Sequence, residues 1–149
     1  MLSWGVAQSE VMLFGDVLAL ARRSWVRALR QSLAAQGYHD YRRSDGLALR
    51  FFSLGPHSLG AFADLTGTSR QAARKVVTGL IDRGYATLIT DSRDARRRLV
   101  VLTNEGDAYA DAVVKTLEKL NRHIQAKVAP DELRVAVDVL RFVRDNIGR

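Results

Sequence analysis

Residues 68–103 read TSRQAARKVVTGLIDRGYATLITDSRDARRRLVVLT, and the fold is decided here. Ala73, Val77 and Leu80 fall at i, i+4 and i+7, flanked by Val76 and Ile81, which predicts the buried face of a helix from Thr68 to about Arg83. Arg70 and Arg74 are four apart, as are Gln71 and Lys75, and Thr78 lies three beyond Lys75, so these polar side chains share the opposite face. Gly84 is a natural stop. Beyond it the texture changes: Tyr85 to Thr90 and Leu99 to Leu102 are rich in β-branched residues and predict two strands. The almost wholly charged run Asp91 to Arg98 between them predicts a hairpin with a long basic loop.

Working upstream, Ser58 can cap a short helix whose apolar contacts are Leu59, Phe62, Ala63 and Leu65. Gly67 then turns the chain, and Thr68 and Ser69 can cap the next helix, which gives a helix-turn-helix followed by a β-hairpin. Further back, Phe14, Leu18, Ala21, Trp25, Leu29 and Leu33 recur at steps of three or four and predict a long amphipathic helix from Val11 to near Gly37. A second, short helix is expected at Asp45 to Leu54, capped by Ser44 and stopped by Gly55-Pro56. Downstream, Thr103 can cap a helix with Tyr109, Val113, Leu117, Leu120, Ile124 and Val128 on one stripe. Pro130 opens a last helix whose buried face is expected at Leu133, Val137, Leu140, Val143 and Ile147. The fold class is therefore mainly α with a small β-hairpin wing, a winged helix-turn-helix between long N- and C-terminal helices. With no repeat or linker, residues 1–149 are expected to form one domain, about 38–103 being the winged helix-turn-helix lobe.

Charge points to the partner. The chain carries +7, and five of those seven charges come from Thr66 to Arg98, where Arg70, Arg74, Lys75, Arg83, Arg93, Arg96, Arg97 and Arg98 face only Asp82, Asp91 and Asp94. Such an excess favours a polyanion. Arginine can grip guanine O6/N7 and glutamine adenine N6/N7 in a major groove. The hydroxyls of Thr68 and Ser69, at a helix N-terminus, can meet phosphate. Arg93, Arg96, Arg97 and Arg98 suit phosphates and a narrow minor groove, with Asp91 and Asp94 expected to hold arginines through bidentate pairs that stiffen the loop. The expected partner is double-stranded DNA; an architectural DNA-coating protein or a module for an acidic protein partner would share these features.

Other chemistry has no support in the pattern. Absence of cysteine removes disulfides, thiolate zinc sites and cysteine redox switches. His39, His57 and His123 fit no metal-ligand spacing and read as surface or helix-end residues, so no metal and no cofactor are expected. No phosphate loop, nucleophile elbow or HExxH occurs, and the chain is not expected to be an enzyme. The apolar patch Val11 to Ala21 is interrupted by Asp16 and followed by Arg22-Arg23, so neither a signal peptide nor a membrane span is expected; the chain should be cytoplasmic.

From Leu59 to Gly106 the chain resembles the MarR family of bacterial transcription regulators. The shared string is helix, turn, recognition helix, Leu80-x-x-x-Gly84, then Asp94-x-Arg96 and Leu102-Thr103-x-x-Gly106. The resemblance implies about six helices with a two-stranded wing. It also implies a nucleoid-associated homodimer, probing a pseudo-palindromic operator as a repressor and released by a small phenolic or aromatic effector near Tyr38 to Pro56. Arg96 would be the minor-groove arginine braced by Asp94, with Arg70, Gln71, Arg74 and Lys75 facing the major groove. Dimerisation would fall to residues 8–36 and 104–148, through Phe14, Leu18, Trp25, Leu117, Leu120, Ile124, Leu133, Leu140 and Val143. Independently, those stripes offer more apolar edge than a small winged-helix core can cover.

Overall fold

The computed structural model describes residues 12–148; Val11, expected to start the first helix, and the rest of residues 8–11 of the expected dimerisation segment lie outside them. In chain order come α1 (Phe14–Ala34), α2 (Asp45–Phe52), α3 (Leu59–Thr66), α4 (Arg70–Asp82), β1 (Ala86–Asp91), β2 (Asp94–Leu102), α5 (Asn104–Gln125) and α6 (Pro130–Asn146). Among the described residues this is the expected mainly helical architecture, six helices with one antiparallel hairpin. Contacts divide the chain into two compact units, the first ending at Val113 and the second beginning at Val114, a boundary inside α5. No helix among the described residues is long and apolar enough to cross a membrane.

The helix-turn-helix is set by caps. The Ser58 hydroxyl accepts from the Ala61 N–H at 3.1 Å and starts α3, while Gly67, at φ 64°, ends it in a left-handed conformation that disfavours any residue with a β-carbon. Ser69 then starts α4 by accepting from the Ala72 N–H at 3.1 Å. Thr68, expected to open that helix, stands outside it, its hydroxyl 2.8 Å from that of Thr66. Ser44 makes no capping bond to α2; Asp45 instead accepts the Arg42 N–H at 2.8 Å. The core of the first unit gathers Leu29 and Leu33 of α1, Leu49 and Phe52 of α2, Phe62 of α3, Val77 and Leu80 of α4, Val100 of β2, and Tyr109 and Val113 of α5, all buried. Each large side chain among them contributes about 1.5–3 kcal/mol.

The hairpin corrects one expectation. Pairing runs from Ala86↔Leu102 through Thr90↔Arg98 to Asp91↔Asp94, with an irregularity after Thr90, so only Ser92 and Arg93 remain between the strands. Charge made Asp91 to Arg98 look like a loop. Local bonds draw it into the ladder instead: Asp91 Oδ1 accepts the Arg93 N–H at 2.9 Å and Asp94 Oδ1 the Arg96 N–H at 3.0 Å. On its other edge β2 pairs with the approach to α3, through Val100 N–H to the His57 carbonyl at 2.8 Å and the reverse bond at 3.2 Å. His57 is half-buried there and stacks on Phe51, so it is less a surface residue than expected.

The hairpin is also tied to α5. Thr103 donates its N–H to the Tyr85 carbonyl at 3.0 Å and its hydroxyl to the Gly84 carbonyl at 2.6 Å, and that hydroxyl accepts the Gly106 N–H at 3.1 Å. A β-carbon on Gly106 would run into the Tyr85 carbonyl. The Leu102-Thr103-x-x-Gly106 string thus has a packing origin.

The long apolar stripes are less covered than their spacing implied. In α6 no residue is buried: Leu133 and Val143 are half-buried, while Val137, Leu140 and, just past its end, Ile147 are exposed. Leu117, Leu120 and Ile124 of α5 are half-buried; on α1, Trp25 and Leu18 are half-buried and Phe14 is exposed. Periodicity identifies a helix's apolar face, and what covers that face is a separate matter.

Candidate nucleic-acid interface

Arg70, Gln71, Arg74, Lys75 and Thr78 are all exposed on α4, opposite the buried Ala73, Val77 and Leu80. Gln71, Arg74, Lys75 and Thr78 line an open groove of about 610 Å³ together with Arg42, Gly79 and Asp82. Ser69 lies at its end, with one lone pair engaged by the cap and its hydroxyl proton still available. Arg70 leans back over α3, its guanidinium passing beside Gly60.

Hairpin arginines divide between two faces. Arg98 pairs with Thr90 and shares the face of Leu88 and Val100, closing with Arg74, Val77 and Ile81 a second groove of about 320 Å³ between α4 and the hairpin. Strand alternation puts Arg97 on the other face and Arg96 back on the first. Arg96 and Arg93 at the tip have side chains 95% and 84% exposed. The carboxylates do not clamp them bidentately as expected: Asp94 meets the Arg96 guanidinium at one point, 3.8 Å away, and Asp91 meets that of Arg93 at 3.5 Å. Their better bonds go to backbone N–H groups, which shape the tip and leave the arginine heads free for another anion.

The Arg93 N–H bond, aided by the nearby guanidinium, holds the Asp91 carboxyl below the usual carboxylate range. A depressed folded value means a stabilising contribution that is complete above the unfolded value of about 3.9 and lost as pH falls through the folded one. An NMR titration of the Arg93 amide should therefore show its midpoint below about 3.9; a midpoint at or above that value would contradict the bond.

One cation counted with this surface is not part of it. Arg83, at the end of α4, makes two 2.8 Å bonds to Asp45, Nη1 to Oδ2 and Nη2 to Oδ1, and donates from Nε to the Gly79 carbonyl at 2.8 Å and from Nη1 to the Asp40 carbonyl at 3.1 Å. The Asp45 hydrogen bond raises its pKa further. Sequence reasoning missed this pair because its members are 38 residues apart, and only the burial of a lone acid at the start of α2 would have hinted at it. Nearby, Tyr38 stacks on Tyr109 at 4.3 Å and Tyr85 tilts against it at 4.6 Å. The Tyr109 hydroxyl is buried without a hydrogen-bond partner, and burial pushes its pKa up. Among the described residues no three His, Cys, Asp or Glu side chains gather to hold a metal ion.

No protein-family model and no curated protein matches the sequence. Solved structures match the fold. The PcaV transcriptional regulator of Streptomyces coelicolor, in complex with its natural ligand, superposes with a TM-score of 0.77 at 20% identity, covering 98% of this chain and 99% of that one. A mutant MarR from E. coli complexed with operator DNA gives 0.73 at 16% identity over 93% and 99% of the two chains. BpsR of Bordetella bronchiseptica, whose DNA binding is regulated by 6-hydroxynicotinic acid, gives 0.71 at 21% identity over 96% and 98%. The chain has the winged-helix fold of these regulators.

Proposed function

We propose that the chain is a MarR-family transcription regulator, a homodimeric repressor that binds a pseudo-palindromic DNA site. The observation that carries this is the separation of charge within one segment. The cations of α4 and the hairpin hold their heads out in solvent, at most in long single contacts, whereas Asp91, Asp94 and Arg83 are turned into internal bonds. α4 enters the major groove through Arg70, Gln71, Arg74 and Lys75, and Arg96 reaches the adjacent minor groove. A second copy is supported by the uncovered apolar residues of α1 and α6, among them Phe14, Leu140 and Phe142. Two-fold symmetry then sets half-sites about one helical turn, ~10 bp, apart. The MarR-like structure with operator DNA and the ligand-regulated neighbours support DNA binding under effector control in a bacterial cytoplasm. An aromatic effector would be received beside Tyr38 and Tyr109, where a buried hydroxyl is free to bond.

Selection of bound duplexes from a random pool at fixed physiological salt tests this. The expected product is an inverted repeat held at least ~10³-fold above nonspecific DNA. Arg96→Ala should weaken every duplex, whereas Gln71→Ala should relax preference at one base step by about 1–3 kcal/mol. Binding without a preferred sequence would indicate an architectural protein, and no shift of any duplex at low salt would end the DNA assignment.

A further inference from the structure

We propose that Arg42, in the loop between α1 and α2, is a DNA phosphate-binding residue that extends the recognition face of α4 from outside the helix-turn-helix. This deepens the DNA-binding function proposed above and rests on it. Three observations converge on Arg42. Its backbone N–H donates to Asp45 Oδ2 at 2.8 Å, and the same carboxylate grips Arg83 at the end of α4. One buried acid therefore anchors both the loop and the helix. The side chain then crosses to α4, where Nη1 lies 2.8 Å from the place a β-carbon on Gly79 would occupy. Gln71, Lys75 and Gly79 follow one another at steps of four along α4, so the guanidinium supplies the head that residue 79 lacks and continues their ridge.

Arg42 is exposed and lines the groove shared with Gln71, Lys75 and Thr78. Its guanidinium has no hydrogen-bond or ion-pair partner among the described residues, in contrast to that of Arg83. A guanidinium held in place by its neighbours with its donors free, next to an ammonium, fits an oxygen anion. Bases are read from the N-terminal part of a recognition helix. Arg42 lies beside the C-terminal half of α4, so its target is a backbone phosphate of the strand bordering the groove. Asp82 lines the same groove one turn further on and repels phosphate there, which confines the contact to the Arg42–Lys75 side.

The test compares Arg42→Ala, Arg43→Ala and Gly79→Ala on a selected duplex and on a nonspecific one over a range of salt. Arg42→Ala is expected to lower affinity about tenfold for both duplexes and to reduce the slope of log K against log salt by about 1. Arg43→Ala, which removes an equal charge from the neighbouring position, should lose far less. Gly79→Ala keeps every charge and favours the helix, yet its β-carbon displaces the guanidinium, so affinity should fall with the far-UV circular dichroism unchanged. Equal effects of Arg42→Ala and Arg43→Ala would overturn the assignment, as would a loss confined to one sequence. If the unmodified protein shifts no duplex at low salt, it is the DNA-binding function that fails, a result distinct from either.

Discussion

Asp45→Ala is expected to lower the unfolding free energy by about 3–5 kcal/mol, the loss typical of breaking a buried ion pair by removing one partner. Asp45 is 1% exposed and the Arg83 side chain 12%, so neither head is well served by water once the other is gone. Alanine would leave the guanidinium with the Asp40 and Gly79 carbonyls and a half-exposed Asp40 carboxylate 3.6 Å away, and would strip the Arg42 N–H of its acceptor. Against a total stability of about 5–15 kcal/mol, that is a large share. Denaturant unfolding should show a lower midpoint at unchanged slope. Asp45→Asn should follow in the same direction, because the amide cannot accept at both positions. Pairing Asp45→Ala with Arg83→Met should cost clearly less than the two single losses added, since an apolar replacement leaves no stranded charge. Strict additivity would mean that the two groups do not depend on each other.

The reach of Asp45 marks the boundary between what the sequence disclosed and what it hid. Periodicity is local, and it placed the buried and exposed faces of α4 residue by residue, with Ala73, Val77 and Leu80 inside and Arg70, Gln71, Arg74, Lys75 and Thr78 outside. Caps at Ser58 and Ser69 and the stop at Gly84 were equally legible, since each depends on its own neighbours. The partner of an arginine is not a local property. Arg83 stands between Asp82 and Gly84 and Arg42 beside Arg43, neighbours that say nothing of their partners, yet one is locked inside and the other is laid across Gly79 by a shared acid. Polarity likewise marked residues 91–98 as loop, because composition carries no record of the side chain-to-backbone bonds that extend the ladder. On α6 the apolar stripe was legible and its covering was not, because in this chain no residue of that helix is buried.

Gly106→Ala should also be destabilising, by about 3 kcal/mol, at the upper end of what overpacking costs. Helix propensity alone predicts the opposite sign, since alanine is favoured over glycine inside a helix by about 0.8–1.0 kcal/mol. Gly106 is in the first turn of α5, and its missing side chain lets that turn pass against the Tyr85 carbonyl. The obstacle is backbone, so no rotamer change relieves it. The same carbonyl accepts the Thr103 N–H at 3.0 Å, and Thr103 is also bonded to Gly84. Pushing α5 away therefore loosens the joint between the end of α4, the hairpin and α5 together. Gly15→Ala is the matched comparison, because a β-carbon there, in the first turn of α1, meets nothing within 4 Å. That variant should be neutral or up to about 1 kcal/mol more stable. Opposite shifts of the unfolding midpoint for the two alanines would locate the requirement at the Tyr85 contact. A stabilised Gly106→Ala would mean that the carbonyl yields, and that the glycine of the Leu-Thr-x-x-Gly string is not there for packing.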